Sequence, residues 1–210
     1  MLVTVLQGTL FSAGEEVVLR ELESCSERLT LGRGAWVELR PAWVGGAEVL
    51  FDQLVRDVPW RAERRQMYER TVDVPRLQHF YDEDALLPHT ALAEMREALA
   101  RRYAEELGEP FRTVGLCLYR DGRDSVAWHG DTIGRASRED TIVAIVSLGG
   151  ARRFLLRPRG GGEARRFVLC AGDLLVMGGS CQRTWEHAVP KSSRPVAPRV
   201  SVQFRPRGVR

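Results

Sequence analysis

Two histidines and one aspartate in this chain could hold a metal ion between them. His129 and Asp131 stand two residues apart in Trp128-His129-Gly130-Asp131, and His187 follows far downstream in Trp185-Glu186-His187. In an extended segment residues i and i+2 project to the same side, so His129 and Asp131 can grip one ion. Two neutral imidazole nitrogens and one carboxylate oxygen are the facial donor set of a non-haem Fe(II) site, which leaves three positions open for a co-substrate and oxygen. His-x-Asp alone is a weak signal, and an isolated histidine is more often structural, which is the reading for His79 and His89. The later arginines raise it. Arg205 follows Arg199 at an even offset, with five residues between them, so a strand would place both on one face. Guanidinium pairs bidentately with carboxylate and stays charged when partly buried, as a dicarboxylate co-substrate requires.

These side chains need short strands that bring distant residues together. After Pro110 the chain reads as such strands over 113–119, 141–147, 153–156, 166–169, 173–177 and 199–204, punctuated by Gly, Asp or Pro. Before it, Ala35–Leu39 alternates as a strand and Ala47–Val55 has apolar residues at helical spacing. Thr90–Glu106 is a predicted helix with Leu92, Met95, Leu99 and Tyr103 on its apolar stripe and Gly108 as its stop. Residues 61–88 show no clean period and read as loop-rich, with aromatics that either pack beneath the loops or line a site. Residues 1–33 read as an irregular extension, and 34–210 as one domain with its strand-rich core over about 111–207. Helices first and many short strands later predict an α+β, mainly β chain: a double-stranded β-helix, or jelly roll, backed by N-terminal helices.

At 210 residues, 44% hydrophobic and 28% charged, the composition is that of a globular domain with room for a core. No apolar run approaches the ~20 residues of a membrane span, and the start lacks the basic flank and apolar stretch of a signal peptide. A cytoplasmic protein with no membrane partner, acting as a monomer, is the expectation. Cys25, Cys117, Cys170 and Cys181 show no metal-binding spacing and are expected to be reduced thiols. Basic residues are almost all arginine, Lys191 being the only lysine, and Arg152, Arg153, Arg157, Arg159, Arg165 and Arg166 form a run. Such a run suits a polyanion, or equally a set of solvated strand edges.

The set Tyr119-Arg-Asp-Gly-Arg-Asp-Ser-Val-Ala-Trp-His129-Gly-Asp131, Trp185-Glu-His187-Ala-Val-Pro-Lys191 and Arg199-Val-Ser-Val-Gln-Phe-Arg205 resembles the AlkB family of Fe(II)- and 2-oxoglutarate-dependent dioxygenases. The likeness runs from about Ala35 to Arg207. It implies Fe(II), 2-oxoglutarate and O2 as cofactor and co-substrates, and oxidative dealkylation of N-alkylated bases in single- or double-stranded DNA, with RNA as the alternative. It assigns His129, Asp131 and His187 to iron and to catalysis. Arg199 and Tyr119 would hold the distal carboxylate of 2-oxoglutarate, with Arg205 near the chelating end. Pro75-Arg76-Leu77 with Phe80-Tyr81 would form a nucleotide-recognition lid over about 61–88, with Arg76, Phe80 and Tyr81 on the substrate.

The chain departs from the family's pattern in three places. Cys117 stands where an asparagine is usual and lacks an amide's two donors. Ser201 and Gln203 replace the family's asparagine and threonine between the two arginines. Thr132-Ile133-Gly134 stands where an acidic pair often follows His-x-Asp and helps read the damaged base. Arg76, Arg152, Arg153 and the C-terminal arginines are candidate phosphate contacts. Two rivals follow from these departures. One is the same chemistry on RNA, tRNA, a small molecule or a protein side chain. The other is a nucleic-acid-binding protein on a decayed scaffold.

Overall fold

The computed structural model describes residues 16–22, 28–67 and 70–209, with the side chains of 65–73 left aside. Cys25 and Tyr68 therefore lie outside the described residues. In chain order the strands and helices begin with β1 (Val18–Leu19), β2 (Arg28–Gly32), β3 (Ala35–Arg40), β4 (Val44–Gly45) and α1 (Ala47–Asp57). A hairpin of β5 (Arg61–Met67) and β6 (Arg70–Tyr81) precedes α2 (Thr90–Arg102) and α3 (Ala104–Leu107). Then come β7 (Thr113–Tyr119), β8 (Val126–His129), β9 (Val143–Gly149), β10 (Arg152–Pro158), β11 (Arg165–Leu169) and β12 (Leu174–Gly179). The chain ends with α4 (Cys181–Thr184), β13 (Trp185–Val189) and β14 (Arg199–Arg205).

Two antiparallel sheets make the jelly roll. The major sheet runs β2-β3-β12-β9-β14-β7-β6-β5 and the minor sheet β11-β10-β13-β8. Side-chain alternation divides the major sheet's residues between two cores. Val114, Leu116 and Leu118 of β7, Val200, Val202 and Phe204 of β14, and Ala144, Val146 and Leu148 of β9 face the helices. There they meet Leu50 and Leu54 of α1 and Leu92, Met95 and Leu99 of α2, spaced three or four apart as one helix face demands. Each such leucine, fully buried, stabilises the fold by roughly 1.5–3 kcal/mol. The opposite face of the same strands packs on Phe154 and Leu156 of β10 and Trp185 and Val189 of β13. The functional residues of β7 and β14 belong to this second face.

Local signals set the helix boundaries. Gly46, at φ 66°, enters α1 in the left-handed region that glycine tolerates. His89 caps α2, its Nδ1 accepting from the Ala91 N–H at 3.0 Å. Thus His89 is structural, as its isolation predicts. The strands expected at 35–39, 113–119, 153–156, 166–169, 173–177 and 199–204 are present within two or three residues at each end.

Two expectations need correction. Arg28–Gly32, read as part of an irregular extension, pairs with β3 and opens the major sheet. Residues 61–81, read as loop-rich, form a hairpin whose second strand pairs with β7 from Leu77↔Leu118 to Tyr81↔Val114. Its period is hidden because β5 is dominated by polar side chains and β6 is irregular: Ala62 faces Leu77, but Arg64 faces Asp73. The two extra residues lie around Pro75, which has no N–H to give a ladder and is confined to edges and bulges.

Candidate active site

His129 ends β8, and His187 lies opposite it on β13 as its antiparallel partner. That pairing brings residues 58 positions apart in sequence into contact, with ring centroids 4.3 Å apart. One nitrogen from each ring and one oxygen of Asp131 lie within 4.8 Å of one another, which makes a donor set for one ion. His129 Nδ1 lies 2.9 Å from the Ala127 carbonyl, which can only accept, so Nδ1 carries the hydrogen. Its Nε2 is then left for metal, 3.8 Å from Asp131 Oδ1. His187 stacks on Phe154 at 5.3 Å. Burial, helped by His129 and opposed by Asp131, lowers its pKa to about 3, so its imidazole is neutral and ready to ligate at physiological pH.

Asp131 is also buried. Burial alone would favour its neutral form, but Arg205 and the two imidazoles outweigh that and hold the carboxyl well below the usual range. Arg205 donates from Nε to Asp131 Oδ2 at 2.7 Å. Asp131's own N–H donates to Gln182 Oε1 at 2.9 Å, and Gln182 is buried on α4. Gly130 permits this approach, because a Cβ there would lie 2.3 Å from the Gln182 carbonyl oxygen. Neither Gln182 nor Gly130 carries a sequence signal beyond its neighbours.

The triad opens on a cavity of about 470 Å³. Its wall is built by register: Arg199 lies opposite Tyr119, Ser201 opposite Cys117, and Gln203 opposite Gly115, all on one face of β14 and β7. Arg199 is wholly buried, donating from Nε to Ser147 Oγ at 2.7 Å and lying over the Tyr119 ring at 5.4 Å. Burial lowers its pKa. Arg199 Nη1, Arg76 Nε and Gln78 Oε1, all from residues lining the cavity, are buried without a hydrogen-bond partner. A buried cation with an unused donor is costly unless a ligand completes it, so an anionic co-substrate fits here. At the departures, Gln203 reaches both Cys117 and Ser201. Its Nε2 donates to Ser201 Oγ at 2.7 Å, and its Oε1 lies 3.8 Å from Cys117 Sγ. Gly115 makes room, since a Cβ there would meet Arg205 Nη1 at 2.8 Å and Gln203 Oε1 at 3.0 Å.

A family model described as the 2OG-Fe(II) oxygenase superfamily matches residues 47–205. The chain is 30% identical over 179 residues to the DNA oxidative demethylase ALKBH2 of Mus musculus, covering 76% of this chain and 74% of that protein. The chain belongs to the AlkB family of 2OG-Fe(II) oxygenases. It is also 33% identical over 181 residues to the alpha-ketoglutarate-dependent dioxygenase alkB homolog 3 of Homo sapiens, and there it spans 76% of its own length and 61% of the relative's. Among solved structures, OsALKBH1 shares the fold at a TM-score of 0.57 and 15% identity, over 86% of this chain and 100% of that one. The AlkB cofactor set is Fe(II), 2-oxoglutarate and O2, and the His129-Asp131-His187 donors suit Fe(II).

The AlkB-like lid residues divide. Arg76 and Phe80 line the cavity, but Tyr81 is buried in the helix-side core. Neighbouring residues of a strand point to opposite faces, so Phe80 and Tyr81 could not both face the cavity. Tyr81 instead meets His79 edge-on at 4.5 Å. Arg152 is likewise not a phosphate contact: it is buried and donates to the carbonyls of Asp121, Asp124 and Pro190. Arg157 pairs with Glu186 at 2.7 Å and lies over Trp128, while Arg159 donates to the Arg183 and Gln182 carbonyls. Arg153, Arg165 and Arg166 remain exposed.

Proposed function

We propose that this protein is an Fe(II)- and 2-oxoglutarate-dependent dioxygenase that dealkylates N-alkylated bases in DNA, single- or double-stranded. The observation that carries this reading is the His129-Asp131-His187 donor set opening on the same cavity as buried Arg199, whose Nη1 lacks a partner. When bound, Fe(II) with 2-oxoglutarate and O2 supplies the oxidising power that hydroxylates the alkyl carbon, after which the N–C bond breaks to release an aldehyde beside succinate and CO2. The chain's own residues do the rest. His129, Asp131 and His187 would hold the metal, and Arg205 keeps Asp131 ionised and oriented. Arg199, fixed by Ser147 and Tyr119, would pair with the distal carboxylate of 2-oxoglutarate. A base reaches this depth only from a single strand or after flipping, and alkylated bases flip at less cost because their pairing is weakened. Phe80 and Arg76 would meet it on the hairpin side. The name of ALKBH2 supports DNA, and RNA is the second substrate to test.

Anaerobic loading with Fe(II) and 2-oxoglutarate, then O2 and a single-stranded oligonucleotide bearing N-methylated adenine or cytosine, tests the reading. Formaldehyde and succinate should form together as the methyl mark is lost, and Asp131→Ala should abolish all three. Succinate without demethylation would discard this substrate, and matched ribo- and deoxyribo-oligonucleotides decide between RNA and DNA.

A further inference from the structure

Of the three metal donors, Asp131 is the one that no strand holds. His129 closes β8 and His187 sits within β13, each fixed by the pairing between them. Asp131 lies past the end of β8, so its buried N–H needs a partner from elsewhere. Gln182 provides it, accepting at Oε1 at 2.9 Å. Gln182 is only 1% exposed, and the other end of its amide donates to Met177 Sδ at 3.9 Å, a weak acceptor. Met177 and Cys181 beside it belong to an apolar cluster, so packing alone would suit an apolar side chain here. A buried amide is costly unless well bonded, and the strong bond of this one goes to Asp131.

The element that carries Gln182 also matters. α4 runs directly into β13, and Gln182 precedes His187 by five residues, so its bond ties Asp131 to the stretch of chain that bears the facing ligand. Arg159 holds α4 in turn, donating from Nη2 to the Gln182 carbonyl at 3.2 Å and from Nε to the Arg183 carbonyl at 2.9 Å. Arg205 fixes the Asp131 carboxylate at Oδ2, while Oδ1 lies 3.8 Å from His129 Nε2. Backbone and carboxylate of Asp131 are thus held separately.

We propose that Gln182 is a positioning residue for the metal site: its amide fixes the Asp131 backbone so that the carboxylate meets the ion where the two histidines do. The inference rests on the donor set and holds whichever substrate the enzyme takes.

Mn(II), whose free-ion EPR signal falls on binding, probes the site without turnover. Gln182→Met keeps the length of the side chain and removes the acceptor, whereas Gln182→Asn keeps the amide on a stem too short to reach. Both should bind Mn(II) about tenfold more weakly than wild type, the range for losing a group that orients a ligand. Arg183→Ala, on the same helix but paired with Asp140, should bind as wild type does. Circular dichroism and a thermal melt establish that each variant is folded at the titration temperature. A merely structural role for Gln182 would lower the melt and leave the Mn(II) affinity of the folded protein alone. If Gln182→Met does not fold, Gln182→Asn carries the test. Wild-type affinity in either folded variant, or an equal loss in Arg183→Ala, would overturn the proposal. A wild type that binds no Mn(II) would overturn the donor-set assignment with it. A wild type that demethylates no strand, with the Mn(II) shift present, would fail the dealkylase reading alone.

Discussion

Single side chains in the site act through contacts that substitutions can separate. Arg199→Met removes a buried guanidinium whose Nη1 has no partner, so the fold should lose little stability while the 2-oxoglutarate KM rises more than about tenfold. A thermal melt beside a 2-oxoglutarate titration reads both, and an unchanged KM would mean the co-substrate is anchored elsewhere. Gly115→Ala tests a subtler dependence. Its Cβ would lie 2.8 Å from Arg205 Nη1, the end of a flexible side chain, so the backbone should hold while Arg205 shifts. Asp131 would then lose its orienting donor, and Fe(II) affinity measured by equilibrium dialysis should fall about tenfold, the range for the loss of a group that supports a ligand.

Elements matter here because the loop between β7 and β8 must deliver His129 at the right height. That loop is tied by Arg152 through the carbonyls of Asp121 and Asp124, and by the buried carboxylate of Asp124. Asp124 accepts from the Arg120 N–H at 2.8 Å and from its guanidinium at 2.8 and 2.9 Å. The loop also donates from Ser125 N–H to the Pro75 carbonyl at 2.8 Å, which stitches the bulged hairpin to the metal-bearing strand. Arg152→Ala strands buried carbonyls and should cost at least ~2 kcal/mol, read from urea unfolding. Burial would raise the Asp124 pKa, but Arg120 outweighs it, and the folded value lies below the ordinary 3.8. The sign follows: the stabilisation is complete above about 3.8 and is lost as pH falls through the lower folded value. Asp124→Asn should therefore be less stable than wild type at neutral pH, with the gap closing under acid. A gap that stays constant with pH would show that the carboxylate's charge is not what ties the loop.

At the scale of the molecule, the net charge of +3 is small, and several of the arginines seen in the sequence are engaged with protein groups. Arg152, Arg157, Arg159 and Arg199 all hold protein groups. The salt dependence of the proposed nucleic-acid binding should come from arginines left exposed, among them Arg61 at the cavity wall. Arg61→Ala should weaken binding about equally for all base sequences and reduce the slope of log K against log salt by about 1. A sequence-dependent loss would place Arg61 against a base instead of a phosphate.

Much of the site was legible in the chain because its information is local. The even spacing of Arg199 and Arg205 settles that these side chains share a face, since alternation is a property of the strand itself, and the closeness of His129 and Asp131 in sequence keeps that pair together although Asp131 lies past the end of β8. The helix stripes of α1 and α2 were readable for the same reason. The tertiary structure decided which face meets what. Register against β7 sends Tyr81 into the helix-side core and Phe80 to the cavity, and the antiparallel pairing of β13 with β8 joins His187 to His129. Packing turns Arg152 from a surface candidate into an internal tie, and it brings Gln182 to Asp131 from 51 residues away. Such pairings depend on how two sheets close over one core, and covalent spacing along one strand carries no record of the partner across it.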